Sequence, residues 1–318
     1  MLVTHGASSA GPSTAVTIGN FDGVHLGHQA MVARVVEQAR VRQLQSCVLT
    51  FEPHPREFFE RTRTPGSGRG PAPTRLTSLR EKLEWLRELN VERVHIERFS
   101  RRFAALTPEE FVDSVLGRTL NARWVLVGDD FCFGARRAGN VGTLATLGLA
   151  TGYELDVMKP VIHHGLRVSS GAVREALAAG LLPQAQALLG RPYSISGRVV
   201  HGDKVGRTLG FATANIHMKH NHAPLAGIFA VRVHGCGARA LPGVASLGVR
   251  PTVKEGGAVV LEVHLFDFSA DLYGRHLRVE FLHKIRDEEK YVDLETLRRQ
   301  IERDCDVART LLMEHGDA

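Results

Sequence analysis

Two histidines in a glycine-rich segment are the first candidates for chemistry in this sequence. His25 and His28 lie three residues apart in a run that also contains the turn-forming residues Gly19, Asp22 and Gly23. β-branched residues precede the run, and apolar residues with helical spacing follow it. A turn that opens a helix directs backbone N–H groups and the positive end of the helix dipole at an anion. The pattern predicts a phosphate-binding turn to which the imidazoles add donors.

A second candidate anion site follows in the same half of the chain. Ser169 and Ser170 precede a helical pattern, and Arg174 lies about one turn into it. Serine caps helices well, and the arginine fork matches phosphate. Alone, the segment is typical of ordinary capping with a solvent-exposed arginine. A second phosphate-compatible helix start in one domain favours the binding interpretation.

A glycine-spaced loop is the first candidate in the second half. Gly202, Gly206 and Gly210 are interspersed with Lys204 and Arg207. Glycines let a backbone close on a phosphate chain, as in P-loops, although this is not the P-loop pattern. The loop is predicted to bind phosphate.

Thr213 and Asn215 follow this loop at alternate positions. In an extended chain both side chains point to the same side. A hydroxyl and an amide oxygen are hard ligands that fit Mg²⁺ bridging phosphates. Thr-x-Asn is also common in turns, so the spacing alone is a weak signal.

Glu262 lies in an apolar-rich strand pattern, on one face with His264 and Phe266. A carboxylate there is costly to bury unless it is paired. One reason for its presence is a role as general base toward a hydroxyl nucleophile. An ordinary glutamate on an exposed edge strand is the alternative, and the pattern alone favours it.

The elements that must position these groups change character near residue 187. Before it, strands alternate with helices, which predicts an α/β domain with a parallel, doubly wound sheet. The predicted strands there are 15–18, 46–51, 91–96 and 124–127, and residues 1–13 are expected to be a loose tail. After it, strand patterns separated by glycine-rich turns predict a small antiparallel barrel or sandwich and a C-terminal amphipathic helix. These strands are 193–200, 227–233, 244–247, 258–268 and 277–281, and the helix is 291–312.

Two loops of the first half also carry candidate groups. Pro53 and Pro55 flank His54 at the carboxyl end of a predicted strand, where parallel sheets bind ligands. A loop histidine held by its prolines is an equally good interpretation. The arginine-rich stretch 61–75 contains several glycines and prolines, which is more typical of a solvated loop than of a phosphate clamp.

Bulk composition limits the possible partners. The 318 residues suffice for two domains, and 43% hydrophobic and 23% charged content is that of a soluble protein. Neither a long apolar run nor a secretory signal is present, and the four cysteines are too scattered for a zinc site. The net charge of +6 is spread along the chain, which fits small anionic substrates better than nucleic acid. We expect a cytoplasmic protein, monomeric or weakly homo-oligomeric, with no nucleic-acid or membrane partner.

Seven motifs, in this order, resemble the bifunctional bacterial riboflavin kinase/FMN adenylyltransferase family, also called FAD synthetase. The resemblance covers the chain from Val16 to about Arg309. The motifs are Gly19-Asn20-Phe21-Asp22-Gly23-Val24-His25-Leu26-Gly27-His28, Thr50-Phe51-Glu52-Pro53-His54-Pro55, Gly128-Asp129-Asp130-Phe131-Cys132-Phe133-Gly134, Ser169-Ser170 with Val173-Arg174, Gly210-Phe211-Ala212-Thr213-Ala214-Asn215, Gly248-Val249-Arg250-Pro251-Thr252, and Glu262-Val263-His264-Leu265-Phe266-Asp267-Phe268 with Leu272-Tyr273-Gly274.

The resemblance implies a riboflavin kinase domain over residues 188–318. This barrel would phosphorylate the ribityl hydroxyl of riboflavin with ATP to give FMN. The family pattern places Mg²⁺ and the ATP phosphates at Thr213 and Asn215, and the base at Glu262.

It also implies an FMN adenylyltransferase domain, Rossmann-like, over residues 1–187. This domain would transfer AMP from a second ATP to FMN, giving FAD and pyrophosphate. His25 and His28 would stabilise charge on the triphosphate, with Ser170 and Arg174 as further phosphate contacts. The resemblance adds Gly19, Phe21, Asp22 and Gly23 as ATP-binding residues and Pro53, His54, Pro55 and Asp130 as flavin-binding residues.

The chain departs from the family pattern at three positions. Ala212 replaces a proline before the metal-binding threonine, Gly171 stands where threonine is usual, and Cys132 stands where a basic residue is usual. The lost proline frees a backbone angle beside the metal site. The alternatives are therefore a single-activity FMN adenylyltransferase with a decayed kinase domain, or a flavin-binding protein without turnover. Another adenylyltransferase of the histidine-motif superfamily would leave the second half unexplained.

Overall fold

The computed structural model describes residues 1–6, 11–62, 71–202, 210–218, 223–249, 259–314 and 316. Contacts divide the chain into two compact units. The first comprises Met1–Pro73 and Leu79–Ser169, and the second comprises Thr74–Ser78 and Ser170–Ala318. The functional domain boundary at residue 187 stays a prediction.

A parallel sheet forms the centre of the first unit. In the described part of this unit the strands are β1 (Leu2–His5), β2 (Thr14–Ile18), β3 (Gln45–Glu52), β4 (Arg93–Arg98), β5 (Ala122–Gly128), β6 (Cys132–Phe133), β7 (Gly139–Asn140), β8 (Glu154–Met158), β9 (Ile162–His163) and β10 (Leu166–Arg167). Six of them pair in the order β1-β4-β3-β2-β5-β8, all parallel. The central strand β2 is buried along its whole length, which explains its run of small and β-branched residues.

Helices connect and cover these strands, as the alternating pattern predicts. They are α1 (Leu26–Arg42), α2 (Pro55–Arg61), α3 (Leu79–Glu88), α4 (Arg101–Ala104), α5 (Pro108–Phe111) and α6 (Val141–Thr151). α5 starts with a capping box between Thr107 and Glu110 and continues into a π-helical segment, Val112–Thr119. A short 3₁₀ turn spans Ala135–Arg137.

The expectation of a loose N-terminal tail is wrong. β1 pairs in parallel with β4 and forms one edge of the sheet. The Thr4 hydroxyl lies 2.9 Å from Nδ1 of the fully buried His95 and accepts a 3.2 Å hydrogen bond from Nε of Arg93. A strand of four residues, of which Val3 packs against the core and Thr4 forms polar contacts, is too short to leave a clear hydrophobic pattern in the sequence.

The second unit contains a closed antiparallel barrel. Its described elements are α7 (Ser170–Ala178), α8 (Leu182–Leu189), β11 (Tyr193–Val200), β12 (Thr213–His217), β13 (Gly227–His234), β14 (Leu241–Val249), β15 (Val259–Leu265), β16 (His276–Arg286) and α9 (Leu294–Glu314). The barrel closes in the order β11-β12-β15-β14-β13-β16. The predicted barrel and C-terminal helix are confirmed, and β12 is the barrel strand that the pattern did not predict.

Side chains of the barrel alternate between its interior and the face under α9. Phe229 and Phe281 are buried with their rings edge to face at 5.2 Å. The neighbouring Ile228 and Ala230 instead pack in one cluster with Cys305, Ala308 and Leu312 of α9. No helix among the described residues is long and apolar enough to cross a membrane.

Candidate active sites

The predicted phosphate-binding turn begins at the carboxyl end of β2, where the strand order of the sheet changes direction. β3 lies on one side of β2 and β5 on the other. Open parallel sheets bind ligands outside the carboxyl ends of their strands at such a point. Residues 53–55 follow β3, and residues 128–134 begin at the last residue of β5. Three predicted motifs therefore start at the same edge of the sheet.

The turn holds two non-glycine residues in the left-handed region. Phe21 has φ 49° and Val24 has φ 40°, and both are buried, while Gly23 has φ 84°. A β-branched residue with positive φ is strained. The sequence predicts a turn here, but not that its strain falls on Phe21 and Val24.

His25 and His28 are brought together, as their spacing predicts. Their rings stack with centroids 3.6 Å apart, and the ring of Phe21 lies 4.9 Å from that of His28. Nδ1 of His25 accepts a 3.3 Å hydrogen bond from the His28 backbone N–H, so His25 caps α1. This bond places the proton of neutral His25 on Nε2, which makes that nitrogen a donor.

The segment that leads to the Ser169-Ser170 motif runs along the start of α1. A Cβ on Gly27 would lie 3.6 Å from the carbonyl oxygen of Val168. Ser170 opens α7, as predicted for a helix start. Nε of Arg174 donates to the carbonyl oxygen of Thr74 at 2.5 Å. The guanidinium is thus anchored to backbone, and its role toward phosphate stays a prediction.

His54, one of the predicted flavin-binding residues, caps a helix. Its Nδ1 accepts a 3.2 Å hydrogen bond from the Arg56 backbone N–H, and Pro55 is the first residue of α2. This hydrogen bond supports the alternative interpretation, in which His54 is a histidine held in place by its own loop. Asp130, the acidic residue among the flavin-binding candidates, forms a 2.7 Å ion pair with Arg167 of β10, and both side chains are exposed.

A chain of phenylalanine rings lies beside these loops and was missed in the sequence. Neighbouring ring centroids are 5.4 to 6.1 Å apart, mostly edge to face or tilted. The ring of Phe59 is 42% exposed. The only sequence signal is enrichment, since eight of the chain's 14 phenylalanines take part: Phe51, Phe58, Phe59, Phe99, Phe103, Phe111, Phe131 and Phe133.

In the second unit, the candidate metal ligands and the candidate base lie side by side on two paired strands. Asn215 of β12 pairs directly with Glu262 of β15, and Thr213 pairs with His264. Paired residues of antiparallel strands project from the same face with Cβ atoms about 5 Å apart. The extended conformation assumed for Thr213 and Asn215 is confirmed. Phe266 lies beyond the end of β15.

Two cavities meet at this strand pair. One, of about 440 Å³, is lined by Gly202, Asn215 and the segment 268–273. The other, of about 360 Å³, is lined by Glu262 and His264, by apolar residues of the barrel and α9, and by the charged residues Arg286, Glu288, Glu289 and Asp304. Thr213 lines both. One candidate metal ligand, Thr213, thus borders both the cavity beside Asn215 and the cavity beside Glu262.

Gly202 packs against Asn215. A Cβ at Gly202 would lie 2.4 Å from Cγ and Nδ2 of Asn215. The predicted phosphate-binding glycine thus has a steric reason to lack a side chain. The other candidates of this loop, Lys204, Gly206 and Arg207, lie outside the described residues, as do Arg250, Pro251 and Thr252.

Two arginine–aspartate pairs fix α9 near the second cavity. Arg286 donates to both carboxylate oxygens of the buried Asp304, at 2.9 and 2.6 Å, and these hydrogen bonds raise the pKa of Arg286. Arg309 binds Asp267 in the same two-pronged way and holds the pKa of Asp267 below its ordinary value. Neither pair is recognisable from sequence, because each joins residues 18 or more positions apart.

His264 holds the backbone next to the candidate metal ligands. Its Nδ1 donates to the carbonyl oxygen of Ala212 at 2.9 Å, and its ring meets that of Phe211 edge to face. Ala212 is the position where the chain lacks the proline of the family pattern. A side-chain hydrogen bond therefore restrains the segment that leads into Thr213.

Comparisons with known proteins match both units. The FAD synthetase family model matches residues 8–172 and the riboflavin kinase family model matches residues 189–312. The bifunctional riboflavin kinase/FMN adenylyltransferase of Escherichia coli (strain K12) is 47% identical over 92% of this chain and 91% of its own. The protein of the same name from Pseudomonas fluorescens is 46% identical over 93% and 92% of the two chains.

A solved structure has the same fold. The crystal structure described as a macrolide-efflux protein from Streptococcus pneumoniae superposes with a TM-score of 0.81 at 29% identity, covering 97% of this chain and 99% of that one. The match to riboflavin kinase over 189–312 shows that the kinase domain is not decayed, which removes that alternative. With both domains present and curated relatives nearly half identical, the chain belongs to the family of bifunctional riboflavin kinase/FMN adenylyltransferases.

Proposed function

We propose that this chain converts riboflavin to FMN and FMN to FAD, using one ATP in each step. In the first step the ribityl hydroxyl attacks the γ-phosphorus of ATP, and ADP leaves. In the second step the FMN phosphate attacks the α-phosphorus of another ATP, and pyrophosphate leaves. The observation that carries the proposal is the pairing of Asn215 with Glu262 between two cavities that share Thr213.

The kinase roles follow from what lines each cavity. The smaller cavity contains apolar and aromatic residues that suit a flavin ring, among them Phe211, Tyr291, Leu297 and Ile301. Charged residues also line it: Arg286, Glu288, Glu289 and Asp304. Glu262 lies in the same cavity and would accept the proton of the ribityl hydroxyl. The larger cavity, beside Asn215, would then hold the ATP phosphates.

The same residues fit Mg²⁺. Thr213 and Asn215 present oxygen ligands from one face of β12, and Gly202 leaves the room that the Asn215 amide occupies. When bound, Mg²⁺ would supply positive charge that offsets the negative charge of the ATP phosphates. Thr213 and Asn215 would hold it, while Glu262, the cross-strand partner of Asn215, would accept the proton.

AMP transfer needs positioning and charge neutralisation more than a base, because the FMN phosphate is already anionic. The turn Gly19–Gly23 would offer backbone N–H groups to the triphosphate, and Nε2 of His25 and the ring of His28 would add donors. The phosphate-contacting roles of Ser170 and Arg174 stay predictions. The phenylalanine chain beside Pro53, Pro55 and Asp130 would supply the apolar surface for the flavin.

Partners and compartment follow from the same chemistry. ATP, riboflavin and FMN are the proposed small-molecule substrates. The four cysteines are free, and Cys47, Cys236 and Cys305 are buried, which supports a reducing compartment such as the cytoplasm. The monomeric or weakly oligomeric state stays a prediction.

Incubation with riboflavin, ATP and Mg²⁺, followed by chromatography of the flavins, tests the proposal. The wild-type protein should form FMN and then FAD. Glu262→Gln should lower FMN formation by roughly 10²-fold or more, the loss of a general base, and leave FAD formation from supplied FMN nearly intact. His28→Ala should do the reverse. Absence of either product in the wild type, or equal loss of both activities in each variant, would refute it.

A further inference from the structure

Lys82 is a charged residue inside the first unit. It lies on α3 between Leu79 and Leu83, on the face that packs into the core, and is 4% exposed. An ammonium at this depth is costly unless it has hydrogen-bond partners. Its Nζ donates to the hydroxyl of Thr50 at 3.3 Å. A lysine in the apolar stripe of a helix therefore meets a polar group of the neighbouring sheet.

A second hydrogen bond connects Thr50 to the turn after β2. It lies fully buried near the carboxyl end of β3, and its hydroxyl donates to the carbonyl oxygen of Asn20 at 3.2 Å. A hydroxyl has one proton and two lone pairs, so it accepts from the lysine while it donates to the carbonyl. The donor and the acceptor of each hydrogen bond are thereby fixed, from Lys82 of α3 through Thr50 to Asn20 of the turn.

The turn needs such support because of its backbone. Phe21 and Val24 have positive φ without being glycine, and such conformations persist only where the surrounding structure enforces them. Thr50 holds the turn at Asn20, and Nε2 of Gln29 holds it at the carbonyl oxygen of Val24 at 2.9 Å. Of these two contacts, the one through Thr50 connects the turn to the buried ammonium group of Lys82.

We propose that Lys82 is a positioning residue for AMP transfer: through Thr50 it holds the turn that follows β2 in its phosphate-binding conformation. The inference rests on the proposed function of this turn. Without the ammonium, the Thr50 hydroxyl is free to rotate to other acceptors, and the strained turn relaxes. Its N–H groups then no longer converge on the triphosphate, so both ATP binding and transfer weaken.

Three variants and a control test this chain of contacts. Lys82→Met keeps the length of the side chain without its charge, and Thr50→Val keeps the shape without the hydroxyl. Each should lower kcat/KM for FMN adenylylation roughly tenfold to a hundredfold, the loss of one hydrogen bond to a charged group. The double variant should be no worse than the poorer single variant, because both act on one chain of contacts. Thr50→Ser, which keeps the hydroxyl, should stay close to the wild type.

Riboflavin phosphorylation by the same protein is the internal control and should stay unchanged in every variant. The KM for ATP in AMP transfer should rise, whereas a merely structural lysine would lower the melting temperature and leave that KM unchanged. Any of three results would overturn this inference without affecting the proposed function. They are wild-type FMN adenylylation by Lys82→Met or Thr50→Val, a loss in the double variant equal to the product of the two single losses, and a parallel loss of kinase activity. A wild-type protein that forms no FAD from FMN and ATP would overturn the proposed function as well.

Discussion

Replacing Gly202 by alanine tests whether Asn215 is held where a metal-bound phosphate needs it. The new Cβ would lie 2.4 Å from Cγ and Nδ2 and 2.5 Å from Oδ1 of Asn215. Because favourable contacts between such atoms need about 3.5 Å, the amide must move by about 1 Å. Asn215 is a short side chain on the wall of a cavity, so it can rotate without opening the barrel. We expect Gly202→Ala to lower the activity of this site and to leave the stability of the fold unchanged.

The size of the effect follows from the metal. Mg²⁺ requires its ligands at about 2.0–2.1 Å in near-ideal octahedral geometry, so an oxygen displaced by about 1 Å is lost as a ligand. A misplacement of this size costs roughly 10²-fold in rate. We expect FMN formation by Gly202→Ala to fall by about that factor and to need more Mg²⁺ for its remaining activity.

The assay is FMN formation measured over a series of Mg²⁺ concentrations. Gly237→Ala is the matched control, because a Cβ there meets nothing within 4 Å in the same unit. FAD formation from supplied FMN controls for protein concentration and folding. Wild-type FMN formation by Gly202→Ala at limiting Mg²⁺ would refute the steric argument, and so would an equal loss in Gly237→Ala.

Two further predictions concern stability. Thr4→Val removes the hydroxyl that meets buried His95 and Arg93, and we expect the free energy of unfolding to fall by about 1–3 kcal/mol, measured by urea denaturation; an unchanged value would show that β1 is not held by this contact. Asp267 has its pKa lowered by Arg309, so its carboxylate stabilises the fold above its unfolded pKa and loses that effect as pH falls through the folded pKa. Asp267→Asn should therefore melt lower than the wild type at neutral pH and converge with it in acid, and parallel melting curves down to about pH 3 would contradict this.

The fold was largely predictable because its strands carry local patterns. Tyr193–Val200 is predicted to the residue, since a buried, β-branched-rich run is a strand signal in itself. β1, β8 and β12 were not predicted as strands. β1 has four residues, β8 is an edge strand with the mixed sequence Glu-Leu-Asp-Val-Met, and β12 lies in a run of small and polar residues. Their strand character comes from the partners that they pair with, which is information beyond any local window.

The candidate sites were predictable in residue type and less so in geometry. The spacing of His25 and His28 predicted that they meet, but not that His25 also caps α1. Glycine spacing assigned Gly202 to phosphate, whereas the structure adds a packing role against Asn215. The pairing of Asn215 with Glu262 depends on the register between β12 and β15, and strand register is a tertiary property.

Thr213 lines both cavities of the barrel, so its side chain is part of the wall that each ligand would contact. A ligand that shifts this side chain from one cavity changes the affinity of the ligand in the other. Thermodynamic linkage then requires the effect to be reciprocal: flavin alters nucleotide affinity by the same factor by which nucleotide alters flavin affinity. We therefore expect a heterotropic coupling free energy between riboflavin and ATP, transmitted through a single wall residue.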